Sequence, residues 1–371
     1  MIYLDSAATS LIKPAAVERA VLHAMRTMAS PGRGGYEASS RAAETVYACR
    51  EAAAALFHVP DPSRVVFTMN ATHGLNLAVR SLIKPGTRVV ISGFEHNAVT
   101  RPLHAVKADV RIAGRKLFDP EDTLRAFFEA VTWETKAVVV THVSNVFGYI
   151  LPMDEIASLC RRHGVKLIVD ASQAAGALPV EMEKWQAAFI AMPGHKGLFG
   201  PQGTGILLCG EDGEPLLTGG SGAESRLQTM PAALPEHLEA GTQNVCGIAG
   251  LLSGIRYVAQ KGTENILSHE RKLLETAIAS LQNSGLELFC GEGAVQSGVL
   301  SLRAPGIDSE ELAFRLAEKG VCVRAGLHCA PLAHESAGTL EGGTLRMSFS
   351  PFLTEREVKT TCALLLDAAR N

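Results

Sequence analysis

The feature that most constrains the fold is a recurring short apolar run, followed each time by a turn and then by a helical pattern. Six runs read as buried strands, at residues 64–67, 88–92, 136–145, 166–170, 187–192 and 205–209. Helical patterns occupy residues 72–83, 96–107 and 153–164. Because near-continuous apolar strands that alternate with helices are buried on both faces, the pattern predicts an α/β fold with a mostly parallel sheet.

This alternation fades after about residue 250, where a long helical stretch leads into strand and helix patterns typical of an α+β domain. A chain of 371 residues is also too long for one small core, so two domains are expected. We predict a large α/β domain over residues 15–250. Residues 1–14 and 251–371 would form a smaller α+β domain.

Composition and charge exclude several classes of function. The chain has 35 basic and 38 acidic residues, without the basic stripe of a nucleic-acid or membrane-surface protein. Its first residues show no signal-peptide pattern, and its apolar runs are too short to cross a membrane. The eight cysteines form no CxxC pair and no zinc spacing. We therefore expect a cytoplasmic protein with reduced thiols and no metal site.

Two charged residues follow predicted strands, at the sheet edge where ligands bind in folds of this kind. Lys196 follows the fifth run and lies between glycines. It is either a solvated surface charge or an amine that forms a Schiff base in a pocket. Asp170 ends the fourth run and is either a turn or cap residue or the partner of a cofactor ring nitrogen.

Further candidates follow other predicted strands. Thr72 and His73 open a predicted helix, where they form either a phosphate site or a simple N-cap. His96 is either an ordinary structural residue or a ring that stacks on an aromatic cofactor. Asn145 can donate a hydrogen bond to a ring hydroxyl. Together, five strand ends supply at one edge the groups that pyridoxal phosphate (PLP) requires.

Cys329 lies in the stretch VRAGLHCAP, residues 323–331. It is a nucleophile, an inert buried thiol or a metal ligand, and the turn residues around it favour exposure. A metal site would have to use a set without standard ligand spacing, namely Cys322, His328, Cys329 and His334. The nearby glycines predict a mobile loop, and His328 or solvent is expected to take the proton of the thiol.

The whole sequence resembles the class V aminotransferase branch of the fold-type I PLP enzymes, and within it the cysteine desulfurase and selenocysteine lyase group. The motifs that carry the resemblance are YLDSAAT, ATHGLNLAVRSL, FEHNAV, HVSNVFG, VDASQAAG, GHKGLFGPQGTGIL, LEAGTQN, RAGLHCAP and LRMSFSPFLTEREV. The pattern around Cys329 is similar to that of group II desulfurases. The resemblance implies a large domain with a mostly parallel seven-stranded sheet and a smaller domain that carries the cysteine loop.

The resemblance also implies a role for each candidate residue. The catalytic set would be Lys196 as Schiff-base lysine, His96 as the ring that stacks on the cofactor, and Cys329 as sulfur acceptor. Arg346 would bind the substrate carboxylate together with Asn145, a task that suits guanidinium geometry. The remaining contacts to PLP would come from Thr72, His73, Asn145, Asp170, Gln173 and His195, and from Thr242, which in the family reaches the phosphate of the neighbouring subunit in a homodimer.

The implied activity is conversion of L-cysteine to L-alanine, with transfer of sulfur to Cys329 as a persulfide. An acceptor protein would then feed iron–sulfur cluster or thio-cofactor synthesis. Selenocysteine lyase activity, another class V reaction in which Cys329 is incidental, and a catalytically idle sulfur carrier are the alternatives. Two residues depart from the group: Pro193 stands where a serine is common, and Leu327 stands where many relatives have a second histidine.

Overall fold

The structure is a computed structural model that describes residues 1–32 and 34–370. Its strands are β1 (Ile2–Tyr3), β2 (Val65–Thr68), β3 (Arg88–Ser92), β4 (Asp109–Ala113), β5 (Thr135–Thr141), β6 (Lys166–Asp170), β7 (Phe189–Pro193), β8 (Gly205–Cys209), β9 (Glu287–Phe289), β10 (Val299–Arg303), β11 (Val321–Cys322) and β12 (Leu345–Ser348). Its α-helices are α1 (Ala15–Thr27), α2 (Glu37–Leu56), α3 (Ala71–Leu82), α4 (Asn97–Ala105), α5 (Pro120–Ala130), α6 (Met153–His163), α7 (Met182–Trp185), α8 (Val245–Lys261), α9 (Thr263–Leu281), α10 (Ser309–Glu318), α11 (Pro331–Ser336) and α12 (Glu355–Ala368).

A seven-stranded sheet forms the centre of the fold, in the order β2-β8-β7-β6-β5-β3-β4. The strands from β7 through β4 are parallel, whereas β8 pairs antiparallel with both β7 and β2. This confirms the predicted α/β class and the mostly parallel sheet. All six predicted strands are present, although the run at 136–145 ends as a strand at Thr141.

The central strands are apolar because both faces of the sheet are covered. In β5, Val138 and Val140 pack into the core on one face, and Val139 packs into the core on the other. Each of the three side chains is fully buried. Burial of a valine side chain contributes about 1.5–3 kcal/mol, so the alternation holds the helices to both faces.

Helices α3, α4 and α6 confirm the three helical patterns seen in the sequence. Residues of α3 and α4 belong to one core, and residues of α5 and α6 belong to the other. Helices α1 and α2 pack on α8, which runs across the predicted domain boundary at residue 250.

A separate core surrounds the three-stranded sheet β12-β10-β9, with apolar residues of α9, α10 and α12. Leu4 belongs to this core, because β1 pairs in parallel with β11 through Ile2–Val321 and Tyr3–Cys322. The start of the chain therefore packs against its last third. The division at residues 14 and 250 remains a prediction.

None of the helices in the described part of the chain is both long enough and apolar enough to span a lipid bilayer.

Candidate active site

A cavity of about 490 Å³ lies at the carboxyl ends of the parallel strands. Seven of the predicted site residues line it: Thr72, His96, Asn145, Asp170, Gln173, His195 and Lys196. Its other lining residues include Asn70, Thr141, Ser172 and Pro193. The structure thus brings together side chains that are up to 124 positions apart in the sequence, because the strands that carry them end at one edge.

Lys196 lies in the turn after β7 and lines this cavity. Burial lowers the pKa of this amine to about 8; the charge of Asp170 opposes this change, and the charges of Arg346 and Arg324 add to it. A glycine is required at the next position, since a Cβ on Gly197 would lie 2.3 Å from the carbonyl oxygen of Ala175. Lys196 is therefore not a freely solvated surface lysine, and near neutral pH a useful fraction of its amine is unprotonated.

Asp170 is the last residue of β6, and only 3% of it is exposed. Its Oδ1 accepts a hydrogen bond of 2.9 Å from the backbone N–H of Ser172, which fixes the carboxylate at the wall of the cavity. A buried carboxylate in this position is suited to hold a proton on a ring nitrogen.

The start of α3 forms one wall of the cavity. Asn70 is the N-cap, and its side chain accepts a hydrogen bond of 2.9 Å from the backbone N–H of His73. The alternative in which Thr72 caps the helix is therefore wrong. Thr72 instead lies in the first turn and lines the cavity, at the helix end that favours anions.

His96 lines the same cavity and is also the N-cap of α4. Its Nδ1 accepts a hydrogen bond of 2.9 Å from the backbone N–H of Ala98. Burial lowers the pKa of the imidazole, and the charge of Asp170 opposes that change only in part. The ring is therefore neutral with its proton on Nε2, and the hydrogen bond from the start of α4 fixes the orientation of the ring.

His195 and Gln173 connect the cavity to the N-terminal segment. The Nδ1 of His195 lies 3.0 Å from the hydroxyl of Thr9, and burial lowers the pKa of His195 to about 4. The Nε2 of Gln173 donates a hydrogen bond of 2.9 Å to the carbonyl oxygen of Ala7. These two side chains therefore tie the wall of the cavity to residues 7–9.

Asn145 and Arg346 are in direct contact. The Nη1 of Arg346 donates a hydrogen bond of 2.8 Å to the carbonyl oxygen of Asn145. The Nη2 of Arg346 donates to Asp5 at 2.7 Å, and only 2% of this arginine is exposed. The side chain of Asn145 donates to the carbonyl oxygen of His328 at 2.8 Å, so it links the arginine to the loop that carries Cys329.

The thiol of Cys329 is exposed, which excludes the inert buried alternative. The carbonyl oxygen of Cys329 accepts a hydrogen bond of 2.8 Å from the backbone N–H of Asn97, the residue next to His96. Both His328 and Cys329 have positive φ, at 48° and 56°, a region that non-glycine residues rarely adopt. No cluster of three or more metal-ligating side chains occurs among the described residues.

Close backbone packing occurs beside the loop of Cys329, since a Cβ on Gly343 would lie 2.4 Å from the carbonyl oxygen of Gly326. The mobility of this loop stays a prediction. His328 is buried and donates its Nε2–H to the carbonyl oxygen of Thr344 at 3.0 Å. Burial lowers the pKa of His328 to about 2, which disfavours His328 and favours solvent as the acceptor of the thiol proton.

Thr242 and His73 lie beside a second cavity, of about 720 Å³, together with Met69 and Gly203. Thr242 is exposed there, on the segment that precedes α8. The predicted contacts of these two residues with phosphate stay predictions.

The sequence alone assigns no role to three charged residues near the cavity, namely Glu95, Asp5 and Arg324. The carboxyl group of Glu95 is fully buried, and it accepts a hydrogen bond of 2.9 Å from the backbone N–H of Thr141. Burial raises the pKa of this carboxyl to about 8. Asp5 contacts both Arg324 and Arg346. Each of these acidic residues ends or follows a short apolar run, which is the signal that could have identified it.

One family model and several curated proteins of the same description match this chain over nearly its full length. The family model described as "Aminotransferase class-V" matches residues 2–360. A "Probable cysteine desulfurase" of Methanothermobacter thermautotrophicus is 33% identical, over 96% of this chain and 92% of that protein. A protein of the same description from Pyrococcus abyssi is 29% identical, over 100% of this chain and 95% of that protein.

Solved structures give the same result. The apo structure of a cysteine desulfurase from Thermococcus onnurineus superposes with a TM-score of 0.91 at 28% identity, and covers 100% of this chain and 94% of that one. The cysteine desulfurase CsdA from Escherichia coli, solved in an S-sulfonic acid form, superposes with a TM-score of 0.85 at 26% identity, over 99% and 93% of the two chains.

Proposed function

The chain belongs to the class V aminotransferase family, and from this premise we propose that it is a PLP-dependent cysteine desulfurase. It converts L-cysteine to L-alanine and receives the sulfur on Cys329 as a persulfide. The observation that carries the proposal is the hydrogen bond between the carbonyl oxygen of Cys329 and Asn97. This bond joins the loop of the exposed Cys329 to the residue that follows His96, and His96 lines the cavity together with Lys196 and Asp170.

The side chains around the cavity fit PLP. A primary amine with a lowered pKa, a buried carboxylate and a neutral ring are the groups that a pyridoxal ring requires. Lys196 would bind the aldehyde, Asp170 would hold the ring nitrogen and His96 would cover the ring. Thr72 and His195, at the start of α3 and beside Thr9, would hold the phosphate. When bound, PLP supplies an electron sink for the bond broken at the substrate Cα.

Lys196 and Asp170 supply the acid–base chemistry. With a pKa of about 8, the amine of Lys196 accepts a proton from the substrate Cα and returns one later. Asp170 stays in place because Ser172 binds its Oδ1, and its negative charge offsets the positive charges of the nearby arginines. The neutral ring of His96 adds no further positive charge to the cavity.

Arg346 and Cys329 act on the two ends of the substrate. Arg346 binds the carboxylate of cysteine, and Asn145 holds both Arg346 and the loop of Cys329. The thiolate of Cys329 forms an S–S bond to the substrate sulfur as the Cβ–S bond breaks, and the electron pair of the broken bond remains with the three-carbon fragment that becomes alanine. Because burial lowers the pKa of His328 to about 2, the thiol of the exposed Cys329 gives its proton to solvent rather than to His328.

The proposal extends to partners and location. Thr242 lies on an exposed segment beside its own cavity, which supports a homodimer in which this residue serves the site of the other subunit. The exposed thiol of Cys329 supports delivery of sulfur to an acceptor protein for iron–sulfur cluster or thio-cofactor synthesis. A cytoplasmic location agrees with the reduced cysteines.

The test is to incubate the PLP-loaded protein with L-cysteine and to measure alanine, sulfide and protein-bound persulfide. Lys196→Ala should lose all three products, and Cys329→Ala should lose the persulfide and most of the sulfide. Cys290→Ala is the matched control, because Cys290 is also exposed but follows strand β9, whereas Cys329 lies on the loop that binds Asn97.

Two results would contradict the proposal. Alanine formation by Lys196→Ala would remove the lysine from the chemistry. Full sulfide release by Cys329→Ala would make the cysteine incidental, and would favour another class V reaction.

A further inference from the structure

The loop of Cys329 is bound to the wall of the cavity at two successive carbonyl groups. The carbonyl oxygen of His328 accepts a hydrogen bond of 2.8 Å from Nδ2 of Asn145, and that of Cys329 accepts one of 2.8 Å from the backbone N–H of Asn97. Asn145 lines the cavity itself, and Asn97 follows His96, which also lines it. In this closed arrangement, the residue that carries the thiol and the residue before it are both tied to the cavity wall.

These two bonds hold the loop in an unfavourable backbone conformation. His328 and Cys329 have φ of 48° and 56°, in the left-handed region that residues with side chains disfavour. Such a conformation persists only where the surrounding contacts impose it. The loop is also anchored at its two ends, by backbone hydrogen bonds between Gly326 and Thr344 and by helix α11, which begins at Pro331. Loss of one bond to the cavity wall therefore favours relaxation of the residues between these anchors.

The two bonds differ in how easily they can change. The N–H of Asn97 is a main-chain group in the first residue of α4, so the helix fixes its position. The amide of Asn145 has a second N–H and an oxygen besides the N–H that binds His328, and neither has a partner among the described residues. Asn145 is only 8% exposed and lines the cavity. Because buried polar groups are nearly always hydrogen-bonded, a ligand in the cavity is the expected partner of these two groups.

We propose that Asn145 is a positioning residue that couples occupation of the cavity to closure of the Cys329 loop. A ligand carboxylate that accepts the second N–H fixes the amide in the orientation that binds His328. The loop therefore closes on an occupied cavity and opens from an empty one. The thiol is held at the cavity wall while an amino acid is bound, and it is freed toward solvent afterwards, when the sulfur has to leave. This role rests on the proposed function, since it names how that same site positions its nucleophile.

The test measures opening of the loop rather than turnover. Two rates report it in the PLP-loaded protein: hydrogen exchange of the backbone amide of Asn97, which binds the loop, and alkylation of Cys329 by iodoacetamide. The probe is L-alanine, at about ten times the Kd that calorimetry gives for each protein. A ligand that binds only the closed loop lowers the open population by the factor 1 + [L]/Kd, so both rates should fall about tenfold in the wild type.

Asn145→Ala removes the amide and keeps the main-chain carbonyl that binds Arg346. Without probe, both rates should exceed those of the wild type by about fivefold, the scale of one ordinary hydrogen bond. With probe, the rates of this variant should not fall, and a variant that does not bind L-alanine is judged on its ligand-free rates. Asn145→Asp keeps the size of the side chain but has no amide N–H, and it decides the question if Asn145→Ala fails to fold.

Asn265→Ala is the matched control. The Nδ2 of Asn265 also donates to a main-chain carbonyl oxygen, that of Lys261, at 2.8 Å, but Asn265 lies on helix α9. Both rates of this control should follow the wild type, with and without L-alanine.

Three results would overturn the proposal. The first is a wild type whose rates do not respond to L-alanine, and the second is a set of Asn145 variants whose ligand-free rates equal those of the wild type. The third is the same slowing by L-alanine in the wild type and in the variants, because the ligand would then only shield the loop.

The outcomes separate this role from the proposed activity. Closure that depends on Asn145, without alanine formation from cysteine, would refute the desulfurase activity and keep the role of Asn145. Alanine formation with rates that do not respond to L-alanine would refute the role of Asn145 alone.

Discussion

Glu239→Ala should destabilise the protein far more than the loss of a surface ion pair. Glu239 binds Arg50 through both carboxylate oxygens, at 2.7 Å and 2.6 Å, and the two side chains are only 5% and 8% exposed. The same Oε1 accepts a hydrogen bond of 2.6 Å from the backbone N–H of Phe67. Arg50 also donates to the carbonyl oxygen of Val65 and lies over the ring of Phe67.

The magnitude follows from this burial. Loss of one partner of a buried ion pair costs about 3–5 kcal/mol, because the remaining charge stays buried without compensation. The backbone N–H of Phe67 would also lose its acceptor, which adds about 1–3 kcal/mol when the group stays buried. We therefore expect Glu239→Ala to lower the free energy of unfolding by at least about 3 kcal/mol.

The assay is urea unfolding followed by tryptophan fluorescence, which reports on the buried Trp185. Asp212→Ala is the control, because Asp212 pairs with Arg64 on the surface, where removal costs about 0–1 kcal/mol. The double variant Arg50→Met, Glu239→Gln removes both charges and keeps an acceptor for the N–H of Phe67. It should therefore be more stable than Glu239→Ala.

A free energy loss in Glu239→Ala no larger than that in Asp212→Ala would refute the reasoning. So would a double variant that is less stable than Glu239→Ala, because uncompensated charge would then not be the cause.

Three further predictions follow from the site. Asn97→Pro should speed alkylation of Cys329, because it removes the backbone N–H that binds the carbonyl oxygen of Cys329. Asn97 is the first residue of α4, a position that tolerates proline. Asn97→Ala keeps this N–H and should leave the alkylation rate unchanged. His328→Gln should leave the pH profile of persulfide formation unchanged, and a shifted profile would restore His328 as a base. Because the pKa of Glu95 is raised from 4.5 to about 8, its contribution to stability is complete below pH 4.5 and is lost as the pH rises through 8. Urea midpoints should therefore fall across that range in the wild type and less in Glu95→Gln, whereas the exposed Glu51→Gln should follow the wild type.

Much of the large sheet and of its ligand edge could be predicted from the sequence. The central strands are buried on both faces and so appear as continuous apolar runs, and the parallel strands β5, β6 and β7 end at Thr141, Asp170 and Pro193, which line the cavity. The edge strand β4 was not predicted, because its sequence DVRIA is partly exposed and lacks such a run. Asn70 rather than Thr72 caps α3, since either residue type can cap a helix and only the backbone geometry decides.

The remainder of the site depends on contacts that are distant in the sequence. The contact of Asp5 with Arg346 spans 341 positions, and that of Asn145 with His328 spans 183. The low pKa of His328 also depends on its burial beside Thr344, which no local sequence pattern reveals. Periodicity and strand-end residues predict one edge of a sheet, but they do not show which distant charges meet there.

The pairing of β1 with β11 has a consequence for biosynthesis. Ribosomes add about 5–20 residues per second, so Asp5 emerges roughly 17–68 s before Arg346 is made. Until Val321 and Cys322 of β11 are made, the first strand has no neighbour to pair with, while the seven-stranded sheet can already assemble. The proposed site for the substrate carboxylate is therefore completed among the last steps of folding, and a nascent chain that stalls before residue 346 lacks the arginine that would bind this carboxylate.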